Sequence, residues 1–66
     1  MITIRYNREW QEFQVVDPEN CVSYHDNVED AYDTAKYLQE KYKVEIRVSS
    51  SAKSRVNTFL KRSTDA

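Results

Sequence analysis

Val28-Glu29-Asp30-Ala31-Tyr32-Asp33-Thr34-Ala35-Lys36-Tyr37-Leu38-Gln39-Glu40-Lys41-Tyr42 is the stretch whose reading decides the fold. Val28, Ala31, Tyr32, Ala35, Leu38 and Tyr42 fall at i, i+3, i+4, i+7, i+10 and i+14, which is one stripe of an α-helix and no face of a strand. Asp26 followed three residues later by Glu29 reads as a capping-box-like start, so the helix is expected to begin near Asp26-Asn27. Acids crowd its first turns (Asp26, Glu29, Asp30, Asp33) and bases its last (Lys36, Lys41, Lys43), as the macrodipole favours at each end.

Working outward, the flanks read as strands. On the N-terminal side Ile2, Ile4 and Tyr6 alternate with Thr3 and Arg5, the period of a half-buried strand. Asn7-Arg8-Glu9 reads as a turn in which Asn takes the left-handed conformation. Trp10 to Val16 forms a second strand, with Phe13 and Val15 on one face and Trp10 and Val16 on the other. Asp17-Pro18-Glu19-Asn20 has the Asp and Pro placement of a type I turn. Cys21 to Tyr24 is a short third strand, expected to turn Val22 and Tyr24 inward. Beyond the helix, Val44, Ile46 and Val48 alternate with Glu45 and Arg47 as a final strand. Ser49-Ser50-Ser51 offers helix caps, and Ala52, Val56, Phe59 and Leu60 give residues 52–62 the spacing of a short second helix. The expectation is an α+β domain over residues 1–62 in the order β-β-β-α-β-α. A small antiparallel sheet of three to four strands carries the long helix on one face, and residues 63–66 form a frayed tail.

Composition narrows what such a domain can do. With 66 residues, 39% hydrophobic and 12% aromatic, the chain can build one small core rather than remain disordered. It has no glycine at all, which excludes a Walker loop and a dinucleotide fingerprint, since both need glycine where backbone meets phosphate. One cysteine, Cys21, excludes an internal disulfide, and no Cys/His cluster invites zinc; no metal and no cofactor are expected. His25 is the only histidine. It stands four residues from Cys21 on one strand, roughly 13 Å away by strand rise, too far for a nucleophile and its base. An enzyme is not expected. Apolar runs stop at two residues and Met1 to Arg5 lacks the layout of a signal peptide, so no membrane is expected and the cytoplasm is the expected compartment.

Charge is the strongest functional hint. From Glu9 to Ala35 there are eight acidic residues (Glu9, Glu12, Asp17, Glu19, Asp26, Glu29, Asp30, Asp33) and no Lys or Arg. From Lys36 to Arg62 there are eight basic residues against Glu40 and Glu45, so a net charge of -1 conceals a strong dipole. Glu29, Asp30 and Asp33 fall on the exposed arc of the long helix, and Glu19 and Asp26 lie on loops expected nearby. That surface could mimic nucleic-acid phosphate or dock in the basic groove of a partner; its bland reading is a solvated face serving the helix dipole. Lys53, Arg55, Lys61 and Arg62 on the second helix could contact phosphates, against which stands the overall pI of about 5.7. The same helix could instead pair with the acidic arc of a twin in a homodimer. Among the aromatics, Tyr24, Tyr32 and Tyr42 are expected in the core. Trp10, beside a turn, and Tyr37, off the apolar stripe, are the expected exposed anchors.

The run Tyr24-His25-Asp26-Asn27-Val28-Glu29-Asp30-Ala31 through Ala35-Lys36-Tyr37-Leu38, followed by Val44-Glu45-Ile46-Arg47-Val48, resembles a pattern of small stand-alone modules. Small phage-encoded host-takeover proteins share it, including some RNA polymerase inhibitors and anti-CRISPR proteins. The resemblance covers roughly 25 of the 66 residues by residue type and spacing, and it carries no functional residue over. It implies a protein that works by occupying the surface of a larger host or cognate macromolecule.

Overall fold

The computed structural model describes residues 1–64. They form β1 (Ile2–Asn7), β2 (Glu12–Val16), β3 (Val22–His25), α1 (Val28–Tyr42), β4 (Ile46–Val48) and α2 (Ser50–Thr64). The β-β-β-α-β-α order and the α+β class are those read from the sequence. The four strands lie in the order β3-β2-β1-β4. Both β1–β2 and β2–β3 are antiparallel, whereas β4 returns along β1 in parallel, so the sheet is mixed rather than wholly antiparallel. The parallel pair follows from α1, which carries the chain across the sheet and lets β4 start at the end where β1 starts.

Both helices lie on one face of the sheet. The core joins Ile2 and Ile4 of β1, Phe13 and Val15 of β2, Ala31 and Ala35 of α1, and Ala52 and Val56 of α2. Ile2, Ile4, Val15 and Val56 are its largest fully buried side chains, each contributing about 1.5–3 kcal/mol relative to exposure. The three buried alanines let the helices approach closely, and Tyr32 of α1 meets Phe59 of α2 with ring centroids 5.6 Å apart. α2 is longer than the apolar spacing implied: it starts at Ser50 and runs through Thr64, so the frayed tail expected from residue 63 begins within it. Residues 65 and 66 of that tail lie outside the described residues. No described helix is long and apolar enough to cross a membrane.

Three local expectations are corrected. The hairpin loop spans residues 8–11, because Asn7 pairs with Glu12, and Gln11 rather than Asn7 takes the positive φ of 50°. Asn7 instead caps the loop, its Oδ1 accepting from the N–H groups of Glu9 (3.0 Å) and Trp10 (3.4 Å). The helix N-cap is Asn27, not Asp26: Asn27 Oδ1 accepts from the Asp30 N–H at 2.8 Å while Asn27 Nδ2 donates to Asp30 Oδ2 at 3.3 Å. Asn27 and Asp30 thus hold the N-cap and N3 positions, one residue later than the sequence reading had them, with the return bond made between side chains.

The third correction concerns β3. Asp17 accepts from the N–H groups of Glu19 and Cys21, each at 2.9 Å, and its own N–H donates to Cys21 O at 3.0 Å. The Asn20 N–H closes the turn on Asp17 O at 3.0 Å, with Asn20 at φ 67°. This arrangement places Val22 opposite Val16 and Tyr24 opposite Gln14. Strand parity then puts Val22 and Tyr24 on the face away from the helices, and Tyr24 is 62% exposed instead of inward and buried. Ser23 and His25 take the helix side, opposite Val15 and Phe13.

Candidate functional site

The acidic surface is built by α1. Its buried stripe holds Ala31 and Ala35 against the sheet, so the opposite arc, with Glu29, Asp30, Asp33 and Glu40, faces solvent. Tyr37 lies on this arc and is 66% exposed. Asp33 and Tyr37 stand four residues apart, one turn above the other, with Cβ atoms about 5–6 Å apart. The helix does little to neutralise the arc. Lys36 donates to Gln39 Oε1 at 3.3 Å rather than to Asp33 or Glu40, and Lys41 sits over the Tyr42 ring, 5.4 Å from its centroid. Glu29 and Asp33, four residues apart with like charge, repel one another. The dipole at the helix start offsets part of that cost for Glu29 and Asp30, and less of it for Asp33.

The expected site residues divide. Glu29, Asp30, Asp33 and Tyr37 share one surface, and exposed Asp26 adjoins it just before the N-cap. Trp10, 71% exposed, occupies the β1–β2 loop. Since Phe13 pairs with His25, that loop and the entry to α1 lie at the same end of the sheet. Glu19 does not join them: the Tyr42 hydroxyl donates to Glu19 Oε1 at 3.2 Å, which fixes Glu19 at the far end of α1, about 22 Å along the helix. Tyr42 is half-buried there. Its burial, then the Glu19 hydrogen bond and the nearby charges of Glu19 and Asp17, hold its phenol above the ordinary value of 10.0.

The four basic residues of α2 also separate. Lys53 and Lys61 line a furrow of about 530 Å³, all of whose lining residues come from α2 itself, so among the described residues no other element faces it across a gap. Arg55 and Arg62 line a different groove of about 390 Å³ with Phe13, Val28 and Phe59. Sequence reasoning missed this groove because its walls come from β2, the α1 entry and α2. The signal lay in the spacing: on α2, Arg55, Phe59 and Arg62 follow at i, i+4 and i+7. A second surface it missed is the open sheet face, where Arg5 donates to Gln14 Oε1 at 2.7 Å beside exposed Tyr24. His25 Nε2 is buried with no hydrogen-bond partner among the described residues, and Cys21 is exposed. No family model, curated protein or solved structure matches the chain.

Proposed function

We propose that this protein is a small non-enzymatic interaction module that binds a larger, nucleic-acid-handling protein and regulates or inhibits it through the acidic face of α1. The observation that carries this reading is the run of Glu29, Asp30 and Asp33 around an exposed Tyr37, with the helix's own Lys36 and Lys41 turned to other partners. The helix dipole favours Glu29 and Asp30 in the first turn, but a folded domain gains nothing in stability from adding Asp33 to the same arc. A partner with a basic groove gains both steering and a desolvated contact. The carboxylates raise the encounter rate over distances of about a Debye length, roughly 8–10 Å. Tyr37 supplies the apolar area that charge alone lacks, because rim charges govern association more than residence time. Trp10, in the loop at the end where α1 begins, is a second exposed aromatic anchor, and Asp26 adds charge just before the helix.

The test is a tagged pull-down from host lysate, with and without nuclease, using the wild type and the Asp30→Lys, Asp33→Lys variant. A protein retained in stoichiometric amount after nuclease by the wild type and lost by the variant supports the reading. With that partner purified, the variant is expected to associate more slowly and with a shallower salt dependence. Equal retention by both forms refutes the acidic-face mechanism.

A further inference from the structure

The groove between α2, β2 and the start of α1 has a chemistry opposite to that of the acidic arc. Phe13, Val28 and Phe59 line it together with Asn27, Ser54 and Thr58, Arg55 and Arg62 border it, and among the described residues no carboxylate side chain lines it. The walls are held from behind by two aromatic pairs, each of which lends its phenylalanine to the lining. Tyr6 packs on Phe13 with centroids 4.8 Å apart, and Tyr32 on Phe59 at 5.6 Å. Arg55 stacks on Tyr6, its guanidinium 3.9 Å from the ring centroid. A guanidinium stacked on a ring keeps its N–H edge free for a carboxylate, and its planar fork loses little freedom for each hydrogen bond it forms.

We infer that this groove is a docking site for an acidic peptide segment of a partner protein, one that carries an aromatic or large aliphatic side chain between carboxylates. The side chain would enter between Phe13, Val28 and Phe59, and the flanking carboxylates would meet Arg55 and Arg62 in the forked geometry arginine favours. Charge complementarity selects this occupant. α2 contains no acid from Ser50 to Thr64, and the two arginines stand beside an apolar floor. Nucleic acid fits less well. Lys53 and Lys61 lie on the other furrow, so no continuous basic track follows a phosphate backbone. Phe13 is only 5% exposed, which leaves Phe59 as the one lining ring with an accessible face, too few for the successive stacking platforms that single strands use. This inference is independent of the acidic-arc reading, because it uses neither those residues nor their partner.

The experiment uses a fluorescein-labelled hexapeptide, Asp-Glu-Phe-Asp-Glu-Leu, followed by anisotropy and by amide chemical shifts of the full-length protein. A version with Ser in place of the Phe and an oligothymidylate serve as comparison probes. The expected result is shifts at Val28, Arg55, Phe59 and Arg62, with binding weakened about tenfold by the Phe-to-Ser peptide and by Arg55→Gln with Arg62→Gln. Both arginines are exposed, so unchanged amide dispersion will show that this variant still folds. Shifts confined to Lys53 and Lys61, equal binding by the Gln variant, or tighter binding of oligothymidylate through Arg55 and Arg62 would overturn the inference.

Discussion

Replacing Gln11 or Lys43 with glycine is expected to stabilise this protein, and the size of the gain follows from its backbone. The chain has no glycine, yet three residues sit in the left-handed region: Gln11 at φ 50°, Asn20 at φ 67° and Lys43 at φ 55°. For an ordinary L-residue that conformation costs about 1–2 kcal/mol. Glycine removes the cost but gives the unfolded chain extra freedom, a loss of about 0.5–1 kcal/mol. The net gain therefore lies between about 0 and 1.5 kcal/mol per site, centred near 0.75 kcal/mol. Lys43 ends α1, its N–H donating to Gln39 O at 2.7 Å, and its charge favours that helix end by about 0.3 kcal/mol, which Lys43→Gly forfeits. Gln11→Gly changes no charge and is the cleaner variant. For a domain of this size 1 kcal/mol moves Tm by about 4–8 °C, so the central gain for Gln11→Gly should raise Tm by about 3–6 °C in a thermal melt followed by circular dichroism. Asn20→Gly is the internal control: asparagine tolerates the left-handed region, and the expected change is within about 0.5 kcal/mol. If neither Gln11→Gly nor Lys43→Gly raises Tm, or if Asn20→Gly gains the most, the strain argument is wrong.

Two further predictions follow from the caps and the far end of α1. Asn27→Ala should cost about 1 kcal/mol in urea denaturation while Asp26→Ala costs less than half as much, because Asn27 holds the N-cap bond and Asp26 precedes it; the reverse order would return the cap to Asp26. Tyr42 binds its proton more tightly folded than unfolded, so stability present below about pH 10 should fall as pH climbs from the unfolded pKa towards the raised folded one. Urea midpoints of the wild type should decline across that range, and Tyr42→Phe should flatten the decline; an identical decline in the variant would assign it to another group.

What the sequence disclosed and what it withheld follow from the range of the interactions. α1 was legible because Val28 to Tyr42 repeats one local period over four turns, and the strand alternation of Ile2 to Tyr6 is equally local. The face of β3 was not. Val22 and Tyr24 are the apolar residues of that strand, but the Asp17 turn fixes their parity against β2, and pairing decided against hydrophobicity. The cap shifted by one residue because Asp26 and Asn27 are both good caps, and the choice turns on which backbone enters the helix. For the candidate sites, helical spacing alone brought Glu29, Asp30, Asp33 and Tyr37 together. Glu19 was separated from them by a hydrogen bond to a residue at the far end of α1. The Arg55 and Arg62 groove needs Phe13 from β2, a contact that no window along the chain contains.

The position of β1 has a consequence for how the protein is made. β1 lies inside the sheet, bonded on one side to β2 and on the other to β4, with the Ile2 N–H reaching Glu45 O and the Ser49 N–H reaching Ile4 O, each at 2.9 Å. Its buried Ile2 and Ile4 share a core with Ala52 and Val56 of α2. β1 and β2 can pair as a local hairpin, but the β4 edge of β1 and the α2 cover over Ile2 and Ile4 wait for residues more than forty positions later in the chain. Closure of the core in that sense reports that α2 has been made as far as Val56.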